Sequence, residues 1–585
     1  LTKSLKYNIA MNNQTIAQIF ENIANLLAIK GEVVYVTLAY RRAAESLRNL
    51  GEEVQVIHSR GELKKIPGVG KAIAEKIEEL LATGKLEFLN RLEEEVPPGL
   101  LELLEVSDVG PKKAALFWNQ AGITSLVELE AAATEGHLRR LAGMGEKSEQ
   151  RIVEGIAALK RRSNRLSLGV AHKIGLRWVE WLRAQPGVES ADLAGSLRRW
   201  RSTIGDLDLV AASSDPTNLM QAFTSHSEVE RALSHGTNKS SIELNNGLKI
   251  QLWVQPEDRY GSLLQFVTGS KDHNVRLREH AQQMGLSLSE RGLTDSSGKE
   301  QVFQDEESLY RALAMDWIPP ELREDHGEIQ AARERRLPDL ISSHDLRADL
   351  HSHSTWSDGT VSILEMAKAA QMRGLTILAI TDHSASLGIA NGLSVERLRQ
   401  QREELIQAQA QMGSDFTILH GTEVEIKADG SLDYSDNVLA ELDIVIASLH
   451  TSLRQPREVV TQRLLKAMRN PHVDIIGHPS GRLLPNREGA DLDWEAVLQT
   501  AKDTGIALEI NANPTRLDLD EIYARRAAQM AVPISINTDA HSPADLELAD
   551  YGVSVARRSW MHTDRVLNAW TPPKILEWLN SRLIH

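Results

Sequence analysis

The 585-residue sequence contains no cysteine. Disulfides and thiolate-bound zinc are therefore excluded, and any metal must rest on histidine and carboxylate side chains. The absence also suits a cytoplasmic protein. No apolar stretch approaches the ~18–20 residues of a membrane span, and Leu1-Thr2-Lys3-Ser4 has no secretory h-region. No membrane partner is expected, and the stretch before Met11 reads as a leader. Excess positive charge is missing too: 81 acidic and 66 basic residues leave a net charge of −15. That argues against a generally basic nucleic-acid binder, but local phosphate contacts depend on where the cations lie. Charge runs such as Lys76 to Glu79 and Glu93 to Glu95 read as solvated helix faces.

What is present is 42% hydrophobic and 25% charged, an ordinary globular mixture, with room for three or four domains at ~100–200 residues each. Beyond Asp345, seven short apolar runs each stop at a polar residue suited to metal work. They lead into Asp349-Leu-His351-Ser-His353, Asp382-His383, Glu423, His450, His478-Pro, Asn511 and Asp539-Ala-His541. Apolar strands alternating with helical text, each strand ending in a chemically able side chain, predict a parallel barrel with its site at the C-terminal strand ends. So many candidate ligands exceed the need of one ion, so a multinuclear hydrolytic site is expected. His351 and His353, two apart on a strand, point the same way, and Glu423 has two oxygens with which to bridge ions.

Residues 14–160 read instead as amphipathic helices, with Ile16, Ile19, Phe20, Ile23 and Leu27 forming a core stripe. Within them Ile66-Pro-Gly68-Val-Gly70-Lys71 precedes a helical pattern. Val106-Ser-Asp-Val-Gly110-Pro-Lys112 and Leu141-Ala-Gly-Met-Gly-Glu-Lys147 repeat it more weakly. Such helix-hairpin-helix turns leave N–H groups free at a helix start, a phosphate site indifferent to base identity. Gly68, Gly70, Lys71, Gly110 and Lys112 are the candidate DNA contacts.

From about Ser190 the text turns to strands. Gly195-Ser196-Leu-Arg-Arg199 is followed by Gly205-Asp206-Leu-Asp208, and the two aspartates share a strand face that can hold two Mg²⁺ or Mn²⁺ ions. Gly195, Ser196 and Arg199 suit a nucleotide's triphosphate, and Thr268, Gly269, Ser270 and Asn274 would line the incoming nucleotide. The charged, Pro-containing text from Trp317 reads as a linker.

These motifs carry resemblances. Residues 14–94, with Ala39-Tyr-Arg-Arg-Ala-Ala44 and the first hairpin, look like the small N-terminal domain of family X DNA polymerases. The resemblance implies that Lys76 stands where lyase-active relatives form a Schiff base, with Lys71 as a neighbouring cation. The aspartate strand resembles the family's nucleotidyltransferase palm, in which a third aspartate completes the metal site. Here that position, in Lys249-Ile-Gln-Leu-Trp-Val254, is Gln251, and Ser289-Glu-Arg291 departs from the family's Asn-Glu-Tyr. Residues 346–585 resemble the polymerase-and-histidinol-phosphatase (PHP) domain. That resemblance implies nine ligands: His351, His353, Asp358, His383, Glu423, His450, His478, Asp539 and His541. It favours a trinuclear Mn²⁺ site, with Zn²⁺ or Fe²⁺ left open. Arg482 and Arg516 either grip phosphate or serve as loop arginines.

The expected architecture is multidomain α plus α/β. It comprises a helix-hairpin-helix domain (11–95), a second helical domain with the same motif (96–165), a polymerase-β-like palm and thumb (166–316), a linker (317–345) and a distorted (β/α)₇ PHP barrel (346–585). The resemblance implies a monomeric DNA repair enzyme that fills gaps with dNTPs. It would also remove nucleotides from 3′ ends of gapped or nicked DNA, with abasic-site cleavage and 3′-end processing as further activities. Gln251 leaves open a nuclease on a retired polymerase scaffold. A small-molecule phosphatase and a non-enzymatic DNA-end scaffold are the remaining alternatives.

Overall fold

The computed structural model describes residues 13–48, 54–66, 68–106, 108–163 and 165–582. The leader read before Met11 lies outside the described residues. The chain divides into two compact units, one ending at Ser163 and one holding nearly everything after it.

The first unit is helical throughout its described residues. Its apolar stripes converge on one core that runs from Ile16, Phe20 and Ile23 through Ile77 and Phe117 to Ile152 and Ile156. The two helical domains expected at 11–95 and 96–165 therefore share a core, because the helix Asn13–Lys30 packs against both halves. All three hairpins close the same turn: Val69, Val109 and Met144 each donate to the carbonyl three residues back, at 3.0 Å. Gly68, Asp108 and Gly143 hold matching left-handed φ values of 76°, 68° and 76°. At Gly68 a Cβ would also sit 3.2 Å from Arg42 Cβ, so packing adds to the left-handed φ in favouring glycine at this turn. The third hairpin, weak in sequence, is thus a full geometric copy of the first.

The second unit opens with a five-stranded sheet in the order Val188–Leu193, Asp206–Ser213, Lys249–Gln255, Lys239–Leu244, Val229–Ser234. The Asp206 and Lys249 strands run parallel and the other pairs antiparallel. A helical layer with a three-stranded sheet follows. Its anchor is Glu306, which accepts from Arg198 at 2.9 Å, from Arg323 at 2.6 and 3.0 Å, and from Trp317 Nε1 at 3.1 Å. Removing one partner of so buried a pair costs about 3–5 kcal/mol.

Residues 317–345 are correspondingly not a loose linker. Ile318, Leu322 and Ala332 are core, Arg323 is fully buried, and Glu328–Arg333 is a helix whose Glu328 pairs with buried His273 at 2.7 Å. Composition suggested exposure throughout; Arg333 to Arg336 are indeed exposed, but Arg323 and Glu328 are paired in the interior.

Seven parallel strands then follow in sequence order from Ala348–Ser352 to Ile534–Asn537. Nearly every residue in them is buried, because both faces are covered. The third, Thr417–Glu425, pairs with the second through His420 and with the fourth from Gly421 onward, which bends the sheet round. Closure between the first and seventh strands relies on side chains. Leu350 N donates to Asn537 Oδ1 at 3.1 Å, Thr538 N to Asp349 at 3.3 Å, and a single bridge joins Ser352 to Ala540. The result is a nearly closed, distorted barrel, and its core is continuous with that of the five-stranded sheet.

Candidate active sites

The C-terminal ends of the barrel strands bring all nine expected ligands to one place. Three overlapping groups have ligand atoms within 4.8 Å of one another: His353, Asp358, His383 and His541; His351, His353, Glu423 and Asp539; and His383, Glu423 and His450. Glu423 lies at the centre, 2.9 Å from His478 Nε2, 3.3 Å from His450 Nε2 and 3.4 Å from His351 Nε2. His353 Nε2 meets Asp539 at 3.0 Å, and Asp358 reaches His541 at 3.3 Å and His383 at 3.7 Å. His478 and Asp539 hold left-handed φ values of 27° and 55°, the backbone strain that clusters at functional sites.

Sequence reasoning missed the carboxylates behind these ligands. Glu509, fully buried on the sixth strand, accepts from His351 Nδ1 at 2.8 Å and from the His478 N–H at 2.7 Å. Glu425 accepts from His450 Nδ1 at 2.7 Å. In each case the imidazole's other nitrogen, Nε2, is turned toward the cluster. A carboxylate within the apolar run Ala507–Asn511 was the available signal, since buried charge needs a partner. Asn511 itself donates to Asp539 at 3.1 Å and so orients a ligand.

The electrostatics follow from this crowding. Burial alone would lower His450 and His541, but the carboxylates beside them raise the two to about 9 and about 10. Glu423 and Asp539, despite burial, are held well below the carboxylate range by the surrounding histidines. His351 Nε2, His353 Nδ1, His383 Nδ1, His478 Nδ1 and Glu423 Oε2 are buried with no hydrogen-bond partner. Orphaned polar atoms converging at this density are costly unless something binds them, and the donor set is that of divalent cations.

The two expected arginines differ. Arg516 Nε faces Asp539 at 3.8 Å. Arg482 gives its donors to the carbonyls of Arg516 and Leu517 and to Asp520, so it braces the loop and is not free for phosphate.

On the five-stranded sheet, Asp206 and Asp208 share a face, and Gln251 pairs in register with Asp208. The Gln251 amide donates to Asp206 Oδ2 at 3.0 Å. Burial and the neighbouring Asp206 push Asp208 up to about 7. The two aspartates fit divalent cations, whereas the third position presents a neutral amide. Gly195, with φ 56°, lies so close that a Cβ would fall 2.0 Å from Asp208 Oδ2, so the turn tolerates only glycine. Ser196 is half-buried in that turn, and Arg199 is bound to Glu324 at 3.1 Å and to the Thr268 carbonyl.

The predicted nucleotide-lining segment is largely structural. Thr268 Oγ1 accepts from Arg198 at 2.7 Å, Ser270 caps the helix Lys271–Gln283, and Gly269 links them with φ 64°. The Asn274 amide is taken up by the Phe266 carbonyl at 2.7 Å and by Gln265 at 2.8 Å. Thr268 and Asn274 are thus both hydrogen-bonded within the fold.

In the helical unit, Gly70 and Gly110 precede the helices Lys71–Thr83 and Pro111–Ala121, and Lys112 is exposed at the second helix start. Lys76 Nζ lies 4.9 Å over the Phe88 ring. Lys71, its expected cationic neighbour, instead pairs with Glu75 at 4.0 Å. Five helical positions place the two lysines ~140° apart around the axis.

Fold and sites together define a two-centred protein, with a nucleotidyltransferase-type palm and a divalent-metal phosphoesterase barrel in a chain that also carries helix-hairpin-helix turns. Known families match segment by segment. The helix-hairpin-helix domain matches residues 11–86, the SAM-like helix-hairpin-helix tandem 100–158, the DNA polymerase beta thumb 263–324 and the PHP domain 349–513. The DNA polymerase/3′-5′ exonuclease PolX of Bacillus subtilis (strain 168) is 37% identical over 562 residues, covering 96% of this chain and 98% of that protein. Probable phosphatases of Thermoanaerobacter sp. (strain X514) and Caldanaerobacter subterraneus are each 32% identical over 246 residues. They cover 40% of this chain, and 94% and 91% of their own lengths. The chain belongs to the PolX family of family X polymerases with a C-terminal PHP domain.

Proposed function

We propose that this protein is a DNA repair enzyme whose main activity is metal-dependent 3′→5′ removal of nucleotides at the barrel. Abasic-site cleavage and 3′-end processing belong to the same centre, and the palm fills gaps from dNTPs. The observation that carries the reading is the set of three interlocking ligand groups around Glu423. Divalent cations bound there, Mn²⁺ before Zn²⁺ or Fe²⁺, would offset phosphodiester charge and make a water acidic enough to ionise near neutral pH.

The chain's own residues prepare that chemistry. Glu509 and Glu425 hold His351 and His450 with Nε2 toward the cluster, and Glu423 belongs to two of the three groups. Arg516, 3.8 Å from Asp539, is placed to donate to a phosphate oxygen. The hairpin glycines Gly68, Gly70 and Gly110, with Lys71 and Lys112, would grip the backbone of gapped or nicked DNA near its 3′ end. Lys76 is retained as the candidate lyase nucleophile. We read the protein as monomeric and cytoplasmic, with Asp206 and Asp208 taking Mg²⁺ or Mn²⁺.

A second reading, a nuclease on a retired polymerase scaffold, is favoured by one observation: Gln251 donates to Asp206 where the family has a third carboxylate. A phosphatase of small esters fits poorly, because the phosphatase relatives cover only 40% of this chain, whereas the polymerase/exonuclease relative covers 96%. The deciding experiment extends a 5′-labelled primer in a one-nucleotide gap with Mn²⁺ and dNTPs, using His353→Ala to silence the barrel. A product one nucleotide longer supports the dual enzyme. No extension, with the unmutated protein still shortening the primer, supports the retired scaffold. Loss of neither activity in His353→Ala would sink the barrel assignment.

A further inference from the structure

The arginine assigned to the nucleotide triphosphate is not held by the palm alone. Arg199 Nη1 donates to the Thr268 carbonyl and lies 3.4 Å from where a Cβ on Gly269 would stand, beside the turn read as lining the nucleotide. Its Nε donates to Glu324 Oε1 at 3.1 Å. The same oxygen receives Arg558 Nη1, also at 3.1 Å, and Arg558 belongs to the barrel helix Ala549–Arg558. Arg558 Nη1 further donates to the backbone carbonyl of Arg199 at 2.6 Å, and its Nη2 to Glu521 Oε1 at 2.9 Å. Arg201 completes the group, 3.4 Å from Glu521 and 3.9 Å from Glu324. The Arg558 side chain is only 3% exposed and Glu324 15%, so the contacts are shielded from competing water.

We propose that Arg558 is a positioning residue for Arg199, so that the barrel half completes the palm's nucleotide site. The inference rests on the reading that the palm binds dNTPs. One carboxylate oxygen divided between two guanidinium groups holds each less tightly than it would hold one. Arg558 thereby keeps Glu324 from capturing Arg199, while its bond to the Arg199 carbonyl fixes the backbone from which the side chain projects. Without Arg558, Glu324 retains Arg199 and a triphosphate must compete with a buried carboxylate. The coupling acts on nucleotide affinity and leaves the barrel ligands untouched.

The test uses the full chain on gapped DNA with Mg²⁺ and a fluorescent, non-hydrolysable dNTP analogue, read by equilibrium anisotropy. KM and kcat for gap filling and the rate of primer shortening are measured alongside. Arg558→Ala should weaken analogue binding and raise KM by about tenfold, the scale of one charge-assisted hydrogen bond, with kcat and primer shortening unchanged. Arg558→Lys should restore most of the affinity. Glu324→Gln should tighten binding, and Arg558→Ala with Glu324→Gln should regain the parent's affinity. Parent-like binding by Arg558→Ala, or a double variant weaker than Arg558→Ala, overturns the proposal. If Arg558→Ala fails to fold, an unchanged affinity in Glu324→Gln overturns it instead. A parent that binds the analogue but incorporates nothing defeats the gap-filling reading and leaves this inference to the binding data. A parent that does not bind the analogue defeats both.

Discussion

The barrel and the palm both gather side chains suited to divalent cations at strand ends, and they differ in how completely they do it. In the barrel, eight of the expected ligands form three overlapping groups and the ninth, His478, reaches Glu423 at 2.9 Å, with buried carboxylates behind two of the histidines. In the palm, two aspartates share a face, but the neighbouring strand supplies an amide that donates to one of them. The amide relieves the repulsion that a third carboxylate would add to Asp206 and Asp208. It also gives up the charge that holds two ions together. The barrel thus carries a surplus of ligands, whereas the palm places a self-satisfied hydrogen bond at its third position.

The comparison breaks most sharply at Glu423. Glu423→Gln should abolish primer shortening while leaving gapped-DNA affinity unchanged, measured by gel assay and anisotropy. If shortening persists, the central role of this carboxylate is wrong. Gln251→Asp should raise incorporation into a one-nucleotide gap by an order of magnitude or more in a His353→Ala background. A variant no faster than its parent would show that the amide is not the palm's defect. Glu509→Gln should keep the fold but lower metal affinity or nuclease rate by about 10–100-fold, the usual effect of an outer-sphere partner. Metal titration and primer shortening check this together.

The smallest effect is on stability. Burial would raise the Glu521 carboxyl, but Arg558 and Arg201 pull it down to about 2, below its unfolded value near 4.5. A depressed folded pKa gives stability that is full above the unfolded value and is lost as pH falls from about 4.5 toward 2. Glu521→Gln should cost on the order of 1–3 kcal/mol at neutral pH and flatten that acid-side loss in denaturant titrations.

Much of this was legible in the chain. Strand periodicity fixes the face on which Asp206 and Asp208, or His351 and His353, must lie, and apolar runs ending in His or Asp mark the mouth of a parallel barrel. Turn residues announced the first hairpin, while Asp108 and a weaker flank disguised the equal geometry of the others. The text from Trp317 misled because charge and proline suggest exposure, whereas Arg323, Glu306 and Glu328 are paired in the interior.

By itself, then, the sequence determined the order of the parts, the two metal-suited centres and the substitution at Gln251. Spacing along one strand or helix suffices for each of those. Only the tertiary structure decided that Glu509 braces His351, that Arg482 braces a loop while Arg516 faces Asp539, that Asn274 bonds to the Phe266 carbonyl, and that Arg558 reaches Arg199. Those pairings join residues up to 359 positions apart. Their partners are chosen by register, barrel closure and the packing of palm on barrel, which no local pattern encodes.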